Sequence, residues 1–161
     1  ICFKHQANNS LYPMKRILIL LFILLPATLA AQQGLHIATL FGKDSPLAKR
    51  QDVTTILLSG KQLKSYNLTR FRSVQVGQPT AADVQLFEKN ITADIAASKD
   101  KQIMRRGQRL YYVFCQLSDL PGGTHRYIIY RNKGASHDGG KDIHLIYIEG
   151  KATANELKSM F

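Results

Sequence analysis

The stretch QIMRRGQRLYYVFCQL, Gln102–Leu117, decides the fold. Upstream of it the apolar residues recur every three or four positions; within it and beyond it they alternate, the period of an extended chain. Tyr112 and Phe114 fall on one side of such a chain, Tyr111 and Val113 on the other. Arg106, Gly107 and Gln108 interrupt the pattern, so the stretch reads as two strands, Gln102–Arg105 and Arg109–Leu117, joined by a tight turn. Downstream, Pro121–Gly123 turns the chain into a strand at His125–Arg131, and the loop Asn132–Lys141 leads to another at Ile143–Ile148. Consecutive strands with short connections make an antiparallel meander.

Upstream, the most regular helical stripe is Val84, Phe87, Ile91 and Ile95, entered through Thr80 as N-cap with Asp83 three residues on. Two further strands precede it, Val53–Leu58 and Leu68–Val76. Val53–Leu58 is apolar and β-branched on both alternating sides, which predicts a strand buried on both faces. Leu35, Ile37, Leu40 and Phe41, ended by Gly42, predict a short opening helix, with a loop over Lys43–Asp52. Thr153 and Glu156 form a capping box before Leu157, Met160 and Phe161, so the chain closes on a short helix. The expected fold is α+β: one domain with an antiparallel meander sheet of about five strands, one long central helix, and short terminal helices packed mainly on one face.

The N-terminal region carries an address. Met14–Ala31 has the plan of a secretory signal peptide: Lys15 and Arg16 in the charged region, Ile17–Leu25 in the apolar region, and Ala27, Thr28, Ala30 and Ala31 as small residues at the cleavage site. Residues 1–13, ICFKHQANNSLYP, are expected to be translated upstream sequence, and 32–161 a single exported domain. The apolar run stops at Pro26 after nine residues, short of the roughly 20 that a spanning helix needs, so no stable transmembrane anchor is expected. No Cys lies at the cleavage point, which argues against a lipoprotein. The expected location is the periplasm or the exterior.

Of the two cysteines, Cys2 falls in the discarded segment, leaving Cys115 without an intramolecular partner. Without Lys4, Lys15 and Arg16, 19 of the 22 basic residues remain against 11 acidic ones, a net charge near +8. That surplus attracts anionic partners at long range: an acidic envelope protein, a glycan or a lipid head group, with no nucleic acid expected at this address.

Catalytic patterns are weak. Cys115 lies in LYYVFCQL among apolar neighbours, where a thiol is a core residue with a raised pKa. His137, Asp138, Asp142 and His144, with His125 nearby, are the only cluster with plausible metal-ligand atoms, and their spacing matches no strong zinc pattern. GASHDGGK, residues 134–141, lacks P-loop spacing and joins two strands. Ser98 and Lys101 match SxxK without its companion motifs, and Asn67 and Asn90 head N-x-T sequons. No catalytic residue, cofactor or metal site is assigned. The candidate anion- or partner-binding residues are Arg105, Arg106, Arg109, Arg126, Arg131, Tyr112 and Tyr130, on the predicted hairpin and the strand after it. With few helices, one apolar and tyrosine-bearing sheet face is left for a partner or for a second copy of the domain.

The closing segment IHLIYIEGKATANELKSMF, together with VTTILLSG and the order of elements between them, resembles the small secreted domains of unknown function found in Gram-negative envelopes. The resemblance covers Leu35–Phe161 and departs in the basic turn at Arg105 and Arg106 and in the longer loop Asn132–Lys141. It implies an extracytoplasmic α+β domain with no established enzymatic activity, so no catalytic residues carry over from it. The function expected is therefore a non-catalytic binding or accessory module of the cell envelope. The alternatives are a small metal-dependent hydrolase using the His137–His144 loop, or a structural envelope protein that self-associates through its open sheet.

Overall fold

The computed structural model describes residues 34–98, 100–135 and 140–160. The proposed signal peptide, Lys99, His137, Asp138 and Phe161 lie outside the described residues. The strands are β1 (Val53–Ser59), β2 (Leu68–Val76), β3 (Asp100–Arg106), β4 (Arg109–Leu120), β5 (Thr124–Asn132) and β6 (Ile143–Gly150). All six join one antiparallel sheet in the order β1-β2-β6-β5-β4-β3. The expectation of about five strands is thus corrected to six: both edge segments pair along their whole length.

β3 to β6 form the predicted meander, and β2 docks on the far side of β6. Helix α1 (Ala81–Ile95) connects β2 to β3 across one sheet face. It buries Val84, Phe87, Ile91 and Ile95 against Val74, Val113, Ile128, Tyr130 and Leu145, joined by Ile37 and Leu40 of the opening 3-10 helix His36–Leu40. The Asp94 carboxylate of α1 accepts from the amides of His36 and Ile37 at 2.8 and 2.9 Å, fixing that opening turn in place.

α1 starts where the sequence places it. Thr80 Oγ1 accepts from the Asp83 amide at 3.2 Å, while the Asp83 carboxylate accepts from the Thr80 amide at 2.7 Å. Arg50 Nη1 donates to the same carboxylate at 2.7 Å, and its Nε and Nη2 grip Asp52 at 3.0 and 2.7 Å, tying the loop before β1 to the helix start. Burial works against the charge on Asp83, but the hydrogen bonds from Arg50 and Thr80 outweigh it and hold the carboxyl below its usual range. At the other end, Lys101 Nζ donates to the carbonyls of Ile95 and Ala96 at 3.1 and 3.3 Å, and Ser98 Oγ donates to the Gln116 carbonyl. The two letters that suggested SxxK close the end of a helix.

The helices do not share one face, contrary to expectation. β6 points Ile143, Leu145 and Tyr147 toward α1 and Ile146 and Ile148 the opposite way, so both faces need cover. On the second face Leu63 of the 3-10 helix Gly60–Tyr66 and Leu157 of α2 (Ala154–Lys158) pack with Tyr127, Ile129, Ile146 and Ile148. Lys158 Nζ stands 4.8 Å from the centre of the Phe114 ring. Gly150 makes this corner close: a Cβ there would meet Leu68 Cα at 2.7 Å and the Asn67 carbonyl oxygen closer still, beside the register shift between Leu68 and Arg70.

Val53–Leu58 departs furthest from expectation. It is an edge, and Ile56, Leu57 and Leu58 are all exposed, because neither α1 nor α2 reaches that side of the sheet.

Candidate functional site

Strand register assembles one row of side chains across the second face: Met104, Tyr112, Arg131, His144, Gln75 and Thr54, one from each strand in sheet order. The middle of the row is polar and the next row toward α2 is mostly apolar, with Phe114, Ile129 and Ile146 aligned. Between them lies a shallow cleft of about 260 Å³, floored by Ile129 and Ile146 and rimmed by Gln75, Arg131, Lys133, Asp142 and His144.

Hydrogen bonds and an ion pair position Gln75, Lys133, Asp142 and His144 on the rim. Ser73 Oγ and His144 Nε2 share a hydrogen bond of 2.7 Å. Gln75 Nε2 donates to Asp142 Oδ2 at 3.1 Å, and Lys133 Nζ pairs with Asp142 Oδ1 at 3.2 Å. Burial lowers the His144 pKa, Asp142 works to raise it, and the positive charges of Arg131 and Lys133 lower it further, so the imidazole is neutral at pH 7.

The same end of the sheet carries the β3–β4 hairpin. Arg106 pairs across the turn with Arg109, and Arg106 Nη1 donates to the Ala135 carbonyl at 3.2 Å, joining the hairpin to the loop that bears Lys133. Arg105 Nη1 donates to the Gln108 carbonyl at 3.1 Å. Arg105, Arg106, Arg109, Arg131 and Lys133, from three strands and a loop, thus meet at one end of the molecule.

The other two candidate residues are elsewhere. Arg126 belongs to the α1 face, donating to the carbonyl and hydroxyl oxygens of Ser118 at 2.8 and 2.7 Å. Tyr130 is completely buried, its ring 6.3 Å from that of Phe87, and therefore presents nothing to a partner. Tyr111 also departs from simple alternation: the register shift between Met104 and Arg105 lets both Leu110 and Val113 reach the α1 core, and the Tyr111 hydroxyl meets Met104 Sδ at 3.1 Å.

Cys115 is wholly buried, and burial pushes its thiol pKa up. In the proposed metal loop, Asp142 is engaged by Lys133 and Gln75 and His144 by Ser73, while His125 Nδ1 bonds Asp119 at 2.9 Å on the far side of the molecule. Among the described residues no group of three or more His, Cys, Asp or Glu side chains could hold a metal ion. No helix among them is long and apolar enough to cross a membrane. Lys133, on the loop after Arg131, belongs to the basic cluster that the sequence itself shows, whereas no local pattern singles out Gln75 and Ser73. Only the register of β2 against β6, which no local pattern encodes, brings them to Arg131 and His144.

Residues 24–161 match the model of a family of unknown function, DUF6108, and the chain belongs to that family. No curated protein and no solved structure matches it.

Proposed function

We propose that this member of the family is an exported, non-catalytic binding module that seats an anionic group in the cleft over β2, β5 and β6. The observation that carries the reading is the convergence of Arg131, Lys133 and His144 on an uncovered part of the sheet, backed by the three arginines of the hairpin at the same end. The cleft is smaller than the roughly 300–1,000 Å³ of sites that enclose a whole small molecule. It suits a single carboxylate, phosphate or sulfate projecting from a larger partner, such as an acidic protein, a glycan or a lipid head group. The apolar floor and Tyr112 accept the carbon skeleton next to that charge.

The non-catalytic reading rests on the surroundings of the Ser73–His144 pair, the one Ser–His hydrogen bond among the described residues. Ser73 lies inside β2, which is paired to β1 on one side and β6 on the other. Amides next to its hydroxyl serve the ladders, so stabilising a developing oxyanion would require breaking them. The export reading rests on Met14–Ala31.

The test is amide chemical-shift mapping during titration with inorganic phosphate at low ionic strength. Shifts confined to Gln75, Arg131, Lys133, His144 and the hairpin support the proposal. Shifts scattered over the surface, or centred on Arg126, overturn it.

A further inference from the structure

We infer that β1 is a self-recognition edge at which two copies of this chain pair antiparallel about a two-fold axis through Ile56. The outermost strand of a sheet leaves every second amide and carbonyl unpaired, and proteins normally blunt such edges with charge, proline or a bulge. β3, the opposite edge, is blunted: it carries Asp100, Lys101, Arg105 and Arg106 and has a register shift at Met104. β1 has none of these devices. VTTILLS contains no charged residue and no proline, and it pairs with β2 over seven consecutive residues without a shift. Its apolar side chains are out in solvent, with Ile56, Leu57 and Leu58 at 43, 52 and 37% exposure.

The occupant follows from charge and register. The chain is strongly basic, and β1, uncharged along its whole length, is an edge at which two copies can pair with no like charges directly opposed across the contact. Strand self-pairing centred on Ile56 uses the full length, with Val53 opposite Ser59, Thr54 opposite Leu58 and Thr55 opposite Leu57. Each leucine meets the methyl of a threonine and Ile56 meets its own copy, which are favourable cross-strand pairs. A two-fold axis normal to the sheet keeps both copies the same way up, so their two clefts open on one face. Two weak anion sites on one rigid body then engage a multivalent anionic surface together. This last consequence rests on the proposed function; the pairing does not.

Sedimentation velocity over about 1–500 μM brackets the micromolar affinity fitting an edge contact below about 1,200 Å². The unsubstituted chain should move toward twice its monomer mass across this range. Leu57→Lys, at a solvent-facing position that folding does not depend on, should stay monomeric with an unchanged circular dichroism spectrum. Met104→Lys on the other edge should self-associate like the parent. Mild oxidation of Ile56→Cys should give a disulfide dimer, since opposed residues of antiparallel strands lie within disulfide reach, above the background from Cys2 and the buried Cys115. A monomer at all concentrations, self-association that survives Leu57→Lys, or crosslinking of Met104→Cys in place of Ile56→Cys would overturn the inference. The phosphate titration is independent of all these outcomes, so failure of the edge and failure of the cleft are separable.

Discussion

Replacing Tyr130 by Phe should make the protein more stable, and replacing Tyr127 by Phe should make it less so. The two tyrosines are three residues apart on β5, both buried, and they point to opposite faces. Tyr127 donates its hydroxyl to the Ala152 carbonyl at 3.1 Å, linking the sheet to the start of the α2 segment. By geometry the Tyr130 hydroxyl closes no hydrogen bond among the described residues, although the Asn132 side chain, itself unpaired at Nδ2, lies near enough to act on it. An unsatisfied buried hydroxyl costs about 1–2 kcal/mol, whereas a made bond between buried neutral groups contributes about 1 kcal/mol and leaves an orphaned carbonyl when removed. Tyr130→Phe retains the ring contact with Phe87 at 6.3 Å, so stability should rise by about 1 kcal/mol. Tyr127→Phe should lower it by about 1–2 kcal/mol. For a domain spanning Leu35–Phe161 this corresponds to roughly 3–5 °C in Tm per kcal/mol, in opposite directions. Guanidinium and thermal unfolding monitored by circular dichroism read both. If Tyr130→Phe is as destabilising as Tyr127→Phe, the Tyr130 hydroxyl is satisfied and this account of the α1 core is wrong.

Gly150→Ala should cost about 2–3 kcal/mol, because its new methyl meets the backbone of Asn67 and Leu68, which the sheet prevents from yielding; a loss under 0.5 kcal/mol in chemical unfolding would show that the corner can relax. The depressed Asp83 pKa gives stability that is complete above the unfolded carboxyl pKa of about 4 and is lost as pH falls below it; Asp83→Asn should flatten that acid limb of the stability curve, and a parallel limb would contradict the Arg50–Asp83 assignment. His144 acts in the same direction in a higher pH window. Its lowered pKa favours the fold at and above pH 6.5, and this contribution fades as pH falls through 6.5 toward the folded value. An anion beside it favours the protonated ring, so affinity for sulfate, whose own charge is constant over this range, should increase between pH 7.5 and 5.5 in the parent and lose most of that increase in His144→Gln.

What the sequence makes legible is what depends on neighbours along the chain. The Thr80–Asp83 box and the stripe from Val84 to Ile95 locate α1 because both signals lie within four residues of one another. The alternation after Gln102 likewise marks β3 to β6. Burial of VTTILL is misjudged for a complementary reason: its hydropathy matches that of an inner strand, and only the pairing of β2 with β6 leaves it at the edge. Alternation separates Tyr112 from Val113 and Tyr127 from Tyr130, yet it does not say which side receives α1, so Tyr130 is grouped with surface residues. The site divides in the same way. Arg131, Tyr112 and the hairpin arginines belong to the meander and are recognisable there, whereas Gln75 and Ser73 reach the cleft through a strand about seventy positions earlier than His144.

The central claim, an anion site set by place in the fold and not by overall charge, is tested most directly by comparing Arg131→Glu with Arg126→Glu. Both remove one positive charge and add one negative, so they alter net charge equally, but Arg131 rims the cleft and Arg126 sits on the α1 face beside Ser118. Isothermal titration with a sulfated oligosaccharide at low ionic strength should show affinity falling at least tenfold in Arg131→Glu, as loss of one charge-assisted contact of about 1.5–3 kcal/mol requires, and changing less than about threefold in Arg126→Glu. Equal losses in the two variants would mean that net charge alone drives binding, and the cleft would not be the site.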